Sequence, residues 1–586
     1  MKILGLQAFY YNHAAALVVD GRLSFFIEEE KLNRIKSQRD GFPIETIRAA
    51  LEHEHIGLED VDEIAYPCAP WSYSMNLVKY GVGSVLSSFT RFGWPTEPPI
   101  GRVDLTQDRI LTTLQFTPPF LPKLIRQHIR FGRIPGRIPP IAYVPHHRAH
   151  AASVFYSSGF EEAAIVIVDG SGETESTTIW HGRGLDIKRL EKISFPNSLG
   201  EFYAAFTEFC GFETYSQEGK LMGLAAYGGP DPEIQALMSK VFRVGAESYQ
   251  VDARYTIDGP HSWGYAFSDA LVELFGMPRE KNGEITQRHK NIAWAAQDML
   301  ERGATEIVKK AVRLTGCKKV CMSGGVAMNC KLNGHVLHSG AVDDLYVLPA
   351  SNDAGVALGA AMERTRQRGV DPRFQLKHAY YGPSFDDAQI EKDLKIVKVP
   401  YERIDRANLG SIADMLTVQK KVLGLYTGRG EFGARALGAR SIIADPRHPD
   451  MLDIVNRTVK FREGWRPFAP VILEGHEKDW FVDGRVSRYM MKAFQVRPEK
   501  AAAIPAVVHV DGTCRPQSIS RDVNPLYFDI VEACYKKTGV PILLNTSFNV
   551  RNEPIVSRPI EALRCYMGTG MDALVIGSFL LKKSGY

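Results

Sequence analysis

The sequence predicts an α/β protein of two large domains, and three observations carry that prediction. Apolar strands that end in an acidic or glycine-bearing turn and run into a second strand occur twice, around "KILGLQ…AALVVDG" and in "AAIVIVDGSGETESTTIWHG". Two later segments, "KKVCMSGGVAMNCKLNG" and "LYVLPASNDAGVALGAAMERTRQRG", each read as strand, loop and helix. After "RGVDPRF" the pattern restarts with Arg-rich loops and Pro-bounded strands such as "VPILLNTSF". The first domain is therefore placed at 1–370 and the second at 371–586.

Taken in order, "KILGLQ", "AALVVDG" and "LSFFIEEE" read as antiparallel strands, and "FPIETIRAALEHEHIG" as an amphipathic helix ended by glycine. Residues 69–141 are rich in aromatics and prolines ("FGWPTEPPIG", "FTPPFLP") and read as an inserted cap. "AIVIVD" is a buried strand, and "NIAWAAQDMLERGATEIVKKAVRLTG" a long helix.

With 586 residues the chain exceeds what one core holds, and its 45% hydrophobic and 24% charged residues are those of an ordinary globular protein. A net charge of +4, with dispersed basic residues, argues against nucleic acid and anionic membranes as partners. No apolar run approaches the roughly 18 to 20 residues that span a bilayer. The eight cysteines form no CxxC pair and read as reduced core thiols, so a cytoplasmic protein is expected. The apolar cap is compatible with a homodimer.

Glycine after a buried strand lets backbone N–H groups approach an anion, and a helix N-terminus behind it favours negative charge. Two phosphate-facing turns followed by the glycine-rich "SGGVAMN" is the layout of the actin-like ATPase fold. In "VPHHRAHAAS", His146 and His150 lie four apart, so a helix puts both rings on one face. Asp169 ends a buried strand and Asp353 lies in a strand-to-helix loop, where α/β sites collect. Two imidazoles with two carboxylates suit Fe(II), Mn(II) or Zn(II) with positions open to a substrate phosphate, and spacing alone does not choose among them. His147 points about 100° away and is assigned to packing or to support of the ligands.

In the second domain "GRGEFGARALGARS" sets Arg429, Arg435 and Arg440 among glycines, "TVKFREGWRPFAP" adds Lys460, Arg462 and Arg466, and "CRPQSIS" adds Arg515. Guanidinium forks match phosphate, and glycines let the backbone reach it. "LLNTSFN" ends a buried strand with Asn545, Thr546 and Ser547.

These motifs, with "EGKLMGLAAYG", "WRPFAP" and "NTSFNVRNEPIV", resemble, in order and over nearly the whole chain, the carbamoyltransferase family that includes nodulation and antibiotic O-carbamoyltransferases. The resemblance implies an N-terminal domain like the ATPase that makes threonylcarbamoyl-adenosine on tRNA. It implies a C-terminal domain like threonylcarbamoyl-adenylate synthase. It implies that His146, His150, Asp169 and Asp353 bind Fe(II), or another divalent transition metal, in contact with a nucleotide phosphate. Gly170, Gly200, Gly324, Gly325 and Asn329 would line an adenylate pocket, with Lys220 as a phosphate or structural contact. In the second domain, carbamoyl phosphate and ATP with Mg(II) would meet Arg429, Gly430, Lys460, Arg515, Asn545, Thr546 and Ser547 and form carbamoyl-AMP. The carbamoyl group would then pass to a hydroxyl of a small natural product or sugar of secondary metabolism. The same fold pair also serves tRNA-modifying carbamoyltransferases, and a member limited to adenylate formation is a further alternative.

The family opens with a histidine placed to take the acceptor's proton. Here the stretch is "FYYNHAAALVVDG": Tyr11 stands at the histidine in an ungapped alignment, and His13 takes the role after a two-residue slip. Tyrosine is a poor base near neutral pH. Lys36, in "KLNRIKSQRDGFP", matches a family position near the acceptor.

Overall fold

The strand-turn-strand units build two sheets of the same connectivity. In the computed structural model, which describes residues 1–74, 114–256, 266–406 and 408–583, the chain divides into two compact units. The first comprises Met1–Ser24 and Arg39–Gln375, and the second Phe25–Gln38 and Leu376–Tyr586. Residues 25–38 thus group with the C-terminal part of the chain, a detour no local pattern announces. The stretch 75–113, most of the expected cap, lies outside the described residues.

The strands β1 (Lys2–Gln7), β2 (Ala14–Val19), β3 (Arg22–Glu28, of which Arg22–Ser24 group with the first unit), β4 (Glu63–Tyr66) and β5 (Ile141–Tyr143) form a sheet of order β3-β2-β1-β4-β5. β1 pairs antiparallel with β2 and parallel with β4, which is parallel to β5. The second sheet contains β6 (Glu162–Val168), β7 (Glu175–Arg183), β8 (Asp186–Ser194), β9 (Lys319–Ser323) and β10 (Asp344–Val347), and repeats the order as β8-β7-β6-β9-β10. β6 is antiparallel to β7 and parallel to β9, and β9 is parallel to β10. This duplicated arrangement is the one expected of an actin-like ATPase. The turns between β1 and β2 (8–13) and between β6 and β7 (169–174) are equivalent in the two halves.

Each half closes with a helix, α1 (His146–Tyr156) after β5 and α2 (Ala354–Gln367) after β10. Both are buried on nearly every face, which calls for small apolar residues all round. Ala149, Ala151 and Ala152 of α1 and Ala357, Gly359, Ala360 and Ala361 of α2 supply them. The two helices pack closely enough that a Cβ on Gly359 would run into the carbonyl of Ala149. Each of the four metal-ligand candidates therefore comes from the start of one of these helices or the end of β6.

The second unit holds an eight-stranded mixed sheet. Its centre runs Ala573–Ile576, Leu423–Tyr426, Arg440–Ala444, Ile542–Ser547 and Ala469–Leu473. The helices Gly410–Thr417 and Pro525–Thr538 cover one face, burying Ile412, Leu416, Tyr527, Ile530 and Val531 against Leu423, Leu425, Ile443 and Leu543. Every described cysteine is a free thiol. Among the described residues no helix is long and apolar enough to cross a membrane.

Candidate functional site

The pairing of the two half-closing helices brings His146, His150, Asp169 and Asp353 together. One ligand atom from each lies within 4.8 Å of the others. His150 Nε2 is 3.2 Å from His146 Nε2 and 3.2 Å from Asp169 Oδ2. His146 Nε2 is 3.3 Å from Asp169 Oδ2, and Asp353 Oδ1 stands 3.6 Å and 3.7 Å from the two imidazoles. Four donors about 2.1 Å from one ion in a tetrahedron stand about 3.4 Å apart, so the residues fit a divalent transition metal.

The surroundings set each donor for that task. Ser323 Oγ donates its proton to the Ser351 carbonyl at 3.2 Å, which leaves it to accept from His150 Nδ1 at 3.1 Å. With the Nδ1 proton so engaged, the His150 Nε2 lone pair faces the cluster. Asp169 Oδ1 accepts from the backbone N–H groups of Gly170 and Gly325, both at 2.9 Å, leaving Oδ2 toward the histidines. Burial alone would depress the His146 imidazole, but Asp169 and Asp353 hold it up at about 9. Burial would raise the Asp169 carboxyl, yet the two histidines keep it well below the usual carboxylate range. The pocket therefore attracts positive charge, whether a proton or a metal ion. His147 turns away and bonds Thr178 Oγ1 at 2.9 Å, as packing.

Three glycines draw backbone up to the same place. Gly324 has φ +98, and a Cβ there would strike the Val168 carbonyl. Gly200 sits so close to Gly170 that a Cβ would lie 2.6 Å from the Gly170 Cα. Ser198 caps the helix Leu199–Phe209 by accepting from Glu201 N–H, and it donates to the Gly170 carbonyl at 2.7 Å. The resulting concave backbone, at a helix N-terminus, suits an anion. Asn329 takes another role than the expected adenylate contact. Its side chain caps the helix Cys330–His338 and exchanges two hydrogen bonds with Gln297, which also accepts from the Tyr203 hydroxyl. Lys220 lies over the Phe212 ring at 5.7 Å.

The N-terminal turn offers no ready base. His13 is buried, its Nε2 accepts from Gly41 N–H at 3.0 Å, and its ring also bonds the Tyr10 backbone. Burial lowers it to about 4. Both ring nitrogens are thus engaged by the fold, in contrast to the exposed imidazole expected of a displaced general base. Tyr11 stacks on Tyr215 with centroids 5.4 Å apart under the Arg39 guanidinium, and its buried hydroxyl, pushed up to about 12 by burial, makes no hydrogen bond.

In the second unit Lys36, Lys460, Arg462, Arg466, Arg515 and Arg551 act on one another electrostatically, with Glu30 and Glu463 as the nearby acids. Burial and the neighbouring cations lower Lys36 and Lys460, and hold Arg462 down at about 9. Lys36 is therefore placed among the C-terminal cations. Lys460 ends a π-helical turn (Val455–Lys460) and donates to the Ser547 carbonyl at 2.8 Å, to the Asn549 carbonyl at 2.9 Å and to Asn549 Oδ1. It so fixes the loop that follows Asn545, Thr546 and Ser547. Arg515 Nε and Asn545 Oδ1 are buried without a hydrogen-bond partner. Arg462 and Arg466 are the cations whose importance the motif alone understated.

Two of the other arginines are structural. Arg440 is buried over the Tyr426 ring at 3.6 Å and donates to the carbonyls of Thr427, Gly428 and Ala439. Arg429 spends donors on the Gly382 and Tyr381 carbonyls at 2.9 Å and 2.6 Å. Gly430 N–H is taken by the Pro383 carbonyl. Arg429 and Gly430 thus shape the loop.

Similarity to known proteins extends over both units. The profile described as Carbamoyltransferase N-terminus matches residues 2–362, and that described as Carbamoyltransferase C-terminus matches residues 413–583. The nodulation protein NolNO of Sinorhizobium fredii is 36% identical, over 98% of this chain and 80% of its own length. The nodulation protein NolO of Bradyrhizobium diazoefficiens is 39% identical, over 75% of this chain and 78% of its own. Component A of the Acidaminococcus fermentans (R)-2-hydroxyglutaryl-CoA dehydratase aligns with 63% of this chain and 99% of its own, at 12% identity and a TM-score of 0.30, too low to add to the topology. On its two family matches, which together span both units, the chain belongs to the carbamoyltransferase family.

Proposed function

We propose that this carbamoyltransferase works in two steps, one in each unit, of which the first consumes ATP, and modifies a hydroxyl of a small natural product or sugar. In the second unit, which on this reading is a carbamoyl-adenylate-forming domain like threonylcarbamoyl-adenylate synthase, water cleaves carbamoyl phosphate to carbamate and phosphate. A carbamate oxygen then attacks the α-phosphorus of ATP, forming carbamoyl-AMP and releasing pyrophosphate with its Mg(II). The observation that carries this step is the cluster of like charges around Arg462, in which Lys460 is buried and Arg462, Arg466 and Arg515 are half-buried. Such a cluster is costly unless a polyanion completes it, and fixed cations stabilise the charge that builds on phosphoryl oxygens.

Carbamoyl-AMP is then consumed in the first unit. The N-terminus of the helix Leu199–Phe209, at Gly200, holds its phosphate, while the Gly170 and Gly324 turns shape the cleft with their N–H groups engaged by Asp169 and by the Ser351 carbonyl. A divalent ion such as Fe(II), held by His146, His150, Asp169 and Asp353, supplies Lewis-acid polarisation there. The acceptor oxygen attacks the carbamoyl carbon, and AMP leaves. Since His13 is committed to the fold and Tyr11 is a weak base, the acceptor's proton goes to the departing AMP phosphate. The test is pyrophosphate release from ATP with no acceptor present. It should depend strictly on carbamoyl phosphate, and release that ignores carbamoyl phosphate would refute the reading.

A further inference from the structure

A second cluster of metal-binding side chains lies elsewhere in the first unit, and neither proposed step uses it. Glu162, His181 and Cys317 each offer one ligand atom, all within 4.8 Å of one another. Local structure explains why three residues so far apart in sequence meet. Glu162 opens β6, and His181 on β7 stands opposite Ala164, two residues further along β6. Alternation places Glu162, Ala164 and His181 on one face, with Glu162 and His181 as diagonal neighbours. The long helix Gln287–Thr315 ends at Gly316, in the left-handed conformation with φ 71. That turn delivers Cys317 just before β9, the strand paired with β6 on its other side. The turn is pinned by Thr315, whose Oγ1 accepts from Cys317 N–H at 3.1 Å.

His181 Nε2 lies 2.8 Å from Glu162 Oε1 and 3.8 Å from Cys317 Sγ. Around a tetrahedral zinc ion, nitrogen and oxygen donors stand about 3.3 Å apart and nitrogen and sulfur donors about 3.6 Å. All three side chains are only partly buried, so an ion can reach them. The cluster sits where β6 begins, whereas Asp169 follows its last residue, so the two groups occupy opposite ends of one strand. Their chemistry differs as well. The ligand set at Asp169 contains only nitrogen and oxygen, while a thiolate beside an imidazole favours zinc-like ions over Mg(II) or Ca(II).

We propose that Glu162, His181 and Cys317 form an accessory site for a thiophilic divalent cation of the Zn(II) type, with the fourth position left to water. Bound there, the ion would tie the β6–β7 pair to the end of the long helix. The site is independent of the two-step reaction proposed above.

Co(II) added to the full-length chain tests this, because only a sulfur ligand gives a thiolate-to-cobalt charge-transfer band in the near ultraviolet. The wild type should show that band, and His146→Ala should keep it. Cys317→Ser should lose it, and His181→Ala should weaken Co(II) affinity at this site at least tenfold. If Cys317→Ser misfolds, His181→Ala and Glu162→Gln still decide, since each removes a ligand and leaves the thiol in place. No band from the wild type, a band that survives in Cys317→Ser, or undiminished affinity in both other variants would overturn the proposal.

Discussion

His13 shows how burial decides what a residue can do. An imidazole held at about 4, against an ordinary 6.5, stays neutral in the folded chain and binds a proton once unfolded. The unfolded state therefore takes up more protons below pH 6.5, so this contribution is intact above 6.5 and is lost as pH falls towards 4. The full difference is on the order of 3 kcal/mol, since each tenfold change in proton affinity is worth about 1.4 kcal/mol. Denaturant midpoints measured between pH 7 and pH 4.5 should fall in the wild type and fall less steeply in His13→Gln. Ser323 acts at the same scale through its bond to His150 Nδ1. Ser323→Ala frees the imidazole to adopt the wrong tautomer, and metal affinity should drop by about 10- to 100-fold, as is typical when a ligand's support is lost. Metal titration of the purified variant measures this, and unchanged affinity would show that the hydroxyl does not set the ligand.

At the scale of elements, the crossing of α1 and α2 sets the candidate metal centre. His146 and His150 ride on one helix, and Asp353 stands at the start of the other. Gly359 permits the contact at Ala149. Gly359→Ala should push the helices apart, at a cost of about 1 to 3 kcal/mol from overpacking. It should also lower metal affinity although it touches no ligand. Calorimetric unfolding together with metal titration separates this from plain destabilisation, because a surface variant of equal stability loss should leave the affinity unchanged. Much of this centre was legible in the sequence. A four-residue helical spacing and an acid at a strand end are local signals, and so were the glycine turns at Gly170 and Gly324. What escaped depends on the fold around a residue. Burial and a backbone donor from Gly41 make His13 structural, and stacking on Tyr426 does the same for Arg440. Asn329 is absorbed by a cap with Gln297, and Glu162, His181 and Cys317 meet only through strand pairing and the turn that ends the long helix.

Considered as a whole molecule, the chain carries two sites of opposite character. A carboxylate–imidazole group in the first unit suits a cation, and a half-buried cluster of lysines and arginines in the second suits a polyanion. The residues 25–38 that join the second unit bring Lys36 into that cluster, so the composition of the site follows from topology as much as from motif. On the proposed mechanism, adenylate formation and carbamoyl transfer are separate tasks of these two sites. Pyrophosphate release, measured with ATP, Mg(II) and carbamoyl phosphate but no acceptor, probes that division in His150→Ala and in Arg462→Ala. Separate tasks predict near wild-type release from His150→Ala and a loss of 100-fold or more, about 2.7 kcal/mol, from Arg462→Ala. Release abolished in His150→Ala, or undiminished in Arg462→Ala, would contradict the division.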